Sequence, residues 1–300
     1  SITYNYATSE SLMNDRLGGT TSSLDGGNIR YYGASPNNYV YFNCESYPTT
    51  NCELWRIIGV FDGKIKLMRN EIIGSYSWDT SAPSINSGYG VNEWSQADIM
   101  KLLNPDHESE SVGGSLYYNS KSGGTCYSGR SNATISCNFT SKGIKNDTTR
   151  NMIAETTWNL GGWNSTNIYS NVMYEKERGT TVISNPSDGI TRATTWTGKI
   201  ALPYPSDYGY ATDLSKCSQT CRNNDWMYPI LGASNYGWLL TPSSSSDCYA
   251  FYVDSTGSVR LDSPIVCNAY GVVPVLYLNA NTKVIDGDGS QSNPYQLANS

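Results

Sequence analysis

Leu54 to Phe61 is apolar at every position except Arg56 and Gly59, and it runs into Asp62-Gly63 followed by the alternation Lys64-Ile65-Lys66-Leu67. A continuous apolar run predicts a strand covered on both faces, Asp-Gly predicts a tight primed turn, and period-two alternation predicts a half-buried partner strand. The segment reads as a β-hairpin in the core, with Ile65 and Leu67 inward and both lysines toward water. Upstream, Ile29 to Tyr32 and Tyr39 to Phe42 read as extended stretches around a Pro-Asn-Asn turn. Residues 1–28 are polar and Gly-rich, with one weak helical stretch at Ser9 to Leu17. They read as a leader or linker to a single domain over residues 29–300.

Ser95 and Asp98 resemble an N-cap arrangement, after which Ile99, Leu102 and Leu103 recur at helical spacing until Asn104-Pro105. A second helix is predicted from Thr148 to Trp158, with Met152, Ile153 and Trp158 on one face and Gly161-Gly162 as the stop. Strand-like stretches return at Thr191 to Leu202. Near the C-terminus, Ala250 to Asp254 and Ser258 to Asp262 flank Ser255-Thr256-Gly257, a short hairpin connection. Alternation puts Phe251, Val253, Val259 and Leu261 on one face and Tyr252, Asp254, Ser258, Arg260 and Asp262 on the other. That second face mixes ring, acid, hydroxyl and base. A strand containing Pro274, Val273 to Leu278, closes the domain.

Composition narrows the chemistry. The 300 residues carry 20 basic and 26 acidic side chains, a net charge of −6, and no basic run that would neutralise a phosphate backbone, so nucleic acid is not an expected partner. A single His removes every site that needs two imidazoles. The excess lies in 24 Tyr and 28 Gly against 4 Phe, with abundant Ser, Thr and Asn. Binding loops favour that mixture, because a rigid ring offers contact area at low entropy cost while small polar groups adapt. No stretch reaches the ~20 apolar residues of a membrane helix, so no membrane insertion is expected. An opening at Ser1 without a signal peptide reads as a mature fragment.

Eight Cys fall as near neighbours: Cys44 and Cys52, Cys126 and Cys137, Cys217 and Cys221, Cys248 and Cys267. Eight allow 105 pairings, and the spacing suggests four local disulfides and an oxidising, extracellular location. Cys126 and Cys137 would clip the long Ser/Gly/Tyr loop between the two predicted helices.

Asn38-Tyr39-Val40, Leu54-Trp55-Arg56-Ile57-Ile58-Gly59, Tyr76-Ser77-Trp78-Asp79, Gly90-Val91-Asn92-Glu93-Trp94, Thr194-Thr195-Trp196-Thr197-Gly198 and the ending Gly271 to Leu278 resemble blocks from a family of Gram-positive bacterial surface proteins. That family is similar to the C-type-lectin fold in its formylglycine-generating-enzyme form, which also houses variable proteins of diversity-generating retroelements. The resemblance covers about residues 30–297. It implies a mixed α+β, loop-rich fold with about two helices and short antiparallel sheets, displayed on the bacterial cell surface. Some relatives stand behind a pilin-like N-terminal helix, and an anchoring segment outside this chain would suit a pilus or cell wall. The resemblance maps the variable ligand-contacting stretch onto Trp238 to Tyr270. It names Trp238, Tyr249, Tyr252, Asp254, Arg260, Asp262, Asn268 and Tyr270 as ligand-binding, overlapping the outward set from alternation. The expected ligand is a protein or a glycan. Val273 stands where relatives often carry Arg.

The same fold family contains copper-dependent oxidases acting through a cysteine pair, for which Cys217 and Cys221 are the candidate. The pair lacks a neighbouring His and suits a structural clip better. A spacer role in a pilus is the other alternative. Asp286-Gly-Asp288-Gly-Ser290 begins like a calcium loop, but Leu297 replaces the bidentate acid, so a turn is expected. Asn224-Asp225-Trp226 has the residues of a calcium-lectin triplet in the wrong order. Asp106, His107, Glu108 and Glu110 read as a solvated run, while Asp79 and Glu93 beside Trp78 and Trp94 read as a pocket or a core edge. The residues predict no catalytic group, no cofactor and no metal.

Overall fold

A computed structural model describes residues 19–21, 29–81, 84–164, 169–261 and 265–299. Eighteen strands are described. The first six are β1 (Gly19–Thr21), β2 (Ile29–Tyr31), β3 (Tyr39–Phe42), β4 (Glu53–Phe61), β5 (Lys64–Arg69) and β6 (Gly74–Tyr76). The middle group is β7 (Thr125–Tyr127), β8 (Thr134–Ser136), β9 (Thr156–Asn159), β10 (Thr195–Gly198) and β11 (Ile200–Ala201). The last group is β12 (Gly237–Pro242), β13 (Ala250–Val253), β14 (Val259–Arg260), β15 (Tyr270–Val272), β16 (Val275–Tyr277), β17 (Thr282–Asp286) and β18 (Gln296–Asn299). Five short α-helices accompany them: α1 (Asp98–Leu103), α2 (Asp147–Met152), α3 (Ser170–Glu177), α4 (Pro205–Ala211) and α5 (Tyr228–Leu231).

A seven-stranded sheet runs β1-β2-β4-β5-β16-β11, with β3 also paired to β4, and a five-stranded sheet runs β14-β13-β12-β15-β6. All ladders are antiparallel except β12 with β15. The expected hairpin is β4–β5, closed by Asp62 (φ 49°) and Gly63 (φ 74°), both in the left-handed region that a primed turn requires. β2 and β3 do not pair with each other but share one edge of β4, opposite residues 59–60 and 53–56. The Val273-Pro274 step carries the chain from β15 in one sheet to β16 in the other and so ties the sheets together; the stretch from Val273 to Leu278 does not close the domain, because the β17–β18 pair follows it.

Several expectations are corrected. Among the described residues five α-helices stand where about two were expected. The second predicted helix ends at Met152, and Trp158 belongs to strand β9, paired with Trp196 of β10. The β-branched pair Thr156-Thr157 favours extended backbone there, and the indole of Trp158 is buried all the same. The N-cap of α1 is Ala97 rather than Ser95, which sits in a preceding 3₁₀ turn capped by Glu93. β1 falls within the stretch read as leader, while the weak helical stretch at Ser9 to Leu17 lies outside the described residues.

Lys66 is the sharpest departure: it is 1% exposed, not turned to water. Its ammonium donates to Asp207 at 2.7 Å, and Arg30 donates to the other oxygen of the same carboxylate at 2.8 Å. The rings of Tyr204, Tyr277, Trp158 and Phe61 surround the nitrogen at 4.5–5.4 Å. Burial alone would raise the Asp207 pKa, but the two cations hold it down to about 2.

Six tryptophans, at 55, 78, 94, 158, 226 and 238, are among the largest fully buried side chains, and the core reaches into both sheets. Disulfides join Cys44 to Cys52, Cys126 to Cys137 across the β7–β8 hairpin, and Cys217 to Cys221. The fourth expected bridge is not formed: Cys248 and Cys267 are thiols. No helix among the described residues is long and apolar enough to cross a membrane.

Candidate functional site

The five-stranded sheet places the C-terminal candidates in one row. Tyr252 of β13 lies opposite Arg260 of β14 on one side and Trp238 of β12 on the other, and Tyr270 of β15 lies opposite Tyr76 of β6. The Tyr252 and Tyr270 rings are 5.1 Å apart, and Trp238 meets Tyr270 at 4.6 Å. Tyr236, just before β12, packs edge-on to Tyr252 at 5.8 Å and tilted against Tyr270 at 5.2 Å. Aromatic pairs at such separations add to the energy of area burial.

Within this cluster, exposure is graded. Tyr236 is 45% exposed, Tyr270 half-buried, Tyr252 9% exposed and Trp238 fully buried. Trp238 is therefore not a ligand contact but the base on which the tyrosines stand; its indole donates to the Tyr76 carbonyl at 3.1 Å. Tyr236 is the residue that sequence reasoning missed. Counting back by two from Trp238 would have found it, since residues 236, 238 and 240 share one face of an extended chain.

The polar candidates divide by role. Arg260 is 45% exposed on β14 and pairs with Asp254 at 3.4 Å. Asp254 is mostly committed to the hairpin, where one oxygen accepts from the Thr256 amide (2.9 Å), the Thr256 hydroxyl (2.6 Å) and the Ser258 amide (3.0 Å). Gly257 closes that turn with φ 86°. Asn268 donates to the Tyr270 hydroxyl at 3.2 Å and so orients a ring. Tyr249 precedes β13 in a bridge to Ile265 and takes no part in the ring cluster. Asp262 lies outside the described residues. The structure thus brings together Tyr252, Tyr270, Arg260, Asp254 and Asn268, adds Tyr236, and sets Trp238 underneath.

The loop between β12 and β13, which Cys248 was expected to brace, is held by a hydrogen-bond network and not by sulfur. Asn92 donates through its amide to the carbonyls of Ser246 and Tyr249, both at 2.8 Å, and of Ser243 at 3.3 Å. Arg192 donates to the Asn92 side-chain oxygen at 2.8 Å and to the Asp247 carbonyl, and its guanidinium is buried against Asp188 at 2.7 Å. Burial raises the pKa of both Cys248 and Cys267, so neither thiol ionises readily.

The remaining candidates serve the fold. Trp78 and Trp94 stack edge-on in the core, and Glu93 accepts from the Ser95 and Ala193 amides, which makes this a core edge. Asp225 is buried, accepting from Thr212 and Met227. Asp288 accepts from the Ser290 amide in the β17–β18 turn, Glu108 from Asn119, and Glu110 pairs with Lys101. Asp79 and Asp98 form a close carboxylate pair at the start of α1, both with pKa values raised, Asp79 by burial and Asp98 by burial and by the charge of Asp79.

No protein-family model, no curated protein and no solved structure matches this chain.

Proposed function

We propose that the chain is a non-catalytic ligand-binding domain of C-type-lectin type, exported and displayed at a cell surface. On this reading it docks a macromolecule through the tyrosine face of its C-terminal sheet. The observation that carries this reading is the graded stack itself, in which an exposed Tyr236 and a half-buried Tyr270 rest on Tyr252 and Trp238 beside the exposed Arg260. Tyr and Arg are the residues in which interface energy concentrates, and rings already packed on a rigid sheet lose little entropy on binding. Three disulfides fit an oxidising compartment. The sequence blocks described above support the retroelement-diversified class, with Trp238 to Tyr270 as the variable stretch. A near-copy of the segment encoding Trp238 to Leu278, differing mainly at adenines and lying beside a reverse-transcriptase gene, is the genomic signature expected.

The binding experiment separates docking from folding. An array of cell-surface proteins and glycans is screened with the parent chain, and each binder is re-measured with Tyr236→Ala and Arg260→Ala. Loss of about 2 kcal/mol or more for Tyr236→Ala, with an unchanged unfolding midpoint, is expected. Binders that ignore both substitutions would contradict the proposal.

A further inference from the structure

A cavity of about 470 Å³ opens where the β4–β5 turn, β9, α3 and the segment before α4 meet. It is built on the seven-stranded sheet, and no residue of the tyrosine face lines it. Its size is that of a small-molecule site, and such sites combine ring surfaces with a few fixed polar groups. Here the rings are Phe61, Tyr174, Tyr204 and Tyr277, of which Tyr174 and Tyr277 are half-buried.

Arg178 is the fixed cation. Its guanidinium lies 3.5 Å from the centre of the Tyr174 ring, and one terminal nitrogen donates to the Tyr174 carbonyl and to Glu177, both at 3.3 Å. A guanidinium carries five N–H donors, and Nε and the second terminal nitrogen of Arg178 have no hydrogen-bond partner among the described residues. Behind it, Glu177 is fully buried, accepts from the Ser206 amide and hydroxyl, and is raised to about 7 by burial, so at neutral pH it balances the Arg178 charge only in part. Behind Tyr204 and Tyr277 sits the Lys66–Arg30–Asp207 cluster, two cations to one carboxylate. Lys64 adds a cation at the mouth, and the exposed carboxylates of Asp62 and Glu155 lie at the same rim. Thr156 and Asn159 line the floor of the same cleft from β9.

We propose that this cleft is a second binding site, for a saccharide that carries a carboxylate. The carboxylate takes the open donors of Arg178, the sugar ring lies against Tyr277, and its hydroxyls meet Asn159. Planar two-point recognition of a carboxylate is what an arginine fork supplies and a lysine does not.

Titration calorimetry with 3′-sialyllactose, tri-galacturonate and neutral lactose tests the site on the whole chain. At least one acidic saccharide is expected to bind at least about tenfold more tightly than lactose, the two acidic probes telling a sialic acid from a uronic acid. Arg178→Gln is expected to abolish that preference. Arg178→Lys, which keeps the charge and loses the fork, is expected to weaken it also, and covers the case in which Arg178→Gln fails to fold. Equal binding of acidic and neutral sugars, no heat with any of the three, or an acid preference that survives these substitutions would overturn the proposal.

Discussion

Tyr236 and Tyr252 touch each other, yet they differ sharply in burial, which separates the proposed binding role from a role in folding. The Tyr236 ring is 45% exposed, so Tyr236→Ala should change stability by no more than about 0.5 kcal/mol. The Tyr252 ring is enclosed by Trp238, Tyr236 and Tyr270, and Tyr252→Ala should cost about 2–4 kcal/mol through the cavity it leaves. Urea unfolding of the two variants checks both values, and equal losses would mean that Tyr236 is part of the core. Lys66 teaches a related lesson. An alternating Lys-Ile-Lys-Leu strand reads as half-exposed, but Asp207 and the rings of Trp158 and Tyr204 cover what would have been its water face. Lys66→Met should destabilise the fold by about 3–5 kcal/mol, because Asp207 then keeps one cation of two in a site shut off from water. Nothing local to residues 64–67 signals Asp207, which lies in α4.

Local elements were legible where pattern and turn chemistry agreed. The β4–β5 hairpin and the β13–β14 hairpin follow from alternation flanking Asp-Gly and Ser-Thr-Gly. The segment from Thr148 to Trp158 was not legible, because apolar residues at 152, 153 and 158 fit a helical stripe as well as a helix followed by a strand. Only the pairing of Trp158 with Trp196, 38 residues on, decides it. The brace of the candidate site was misread for a similar reason: Cys248 and Cys267 lie close in the chain, whereas Asn92, which holds the same loop, is more than 150 residues away from it. Removing the Cys126–Cys137 bridge with a double Ser variant should cost about 2–3 kcal/mol and loosen the β7–β8 hairpin, seen as faster amide exchange confined there. Asn92→Ala should instead speed exchange across residues 243–249 and leave β7–β8 unchanged.

Across the whole molecule, buried carboxylates set an unusual dependence on pH. Asp207 is held at about 2, below its ordinary value of 3.8, so its contribution is present above about pH 4 and is lost as pH falls through 2. Glu177 and Asp225 are pushed by burial to about 7, and Asp79 and Asp98 are raised too. A carboxyl group with a raised folded pKa stabilises the fold below its unfolded value and loses that contribution as pH rises through the folded one. Stability should therefore be greatest near pH 4–5 and decline toward pH 8, with Glu177→Gln flattening part of the decline. Urea midpoints at pH 5 and pH 8 measure this, and a midpoint that rises between them would refute it.

The architecture was legible as a mixed, strand-rich fold with short sheets, and so was the C-terminal hairpin, but not its faces: Tyr252, expected to point outward, is only 9% exposed and every residue of β13 is buried. The cleft beside Arg178 was not legible, because its walls come from four distant parts of the chain. Docking through the tyrosine face is tested most directly by the affinity of Tyr236→Ala for a partner that the parent chain binds. About thirtyfold weaker binding or worse is expected, at an unchanged unfolding midpoint. Parental affinity in both Tyr236→Ala and Arg260→Ala would show that the tyrosine face is not where the molecule docks.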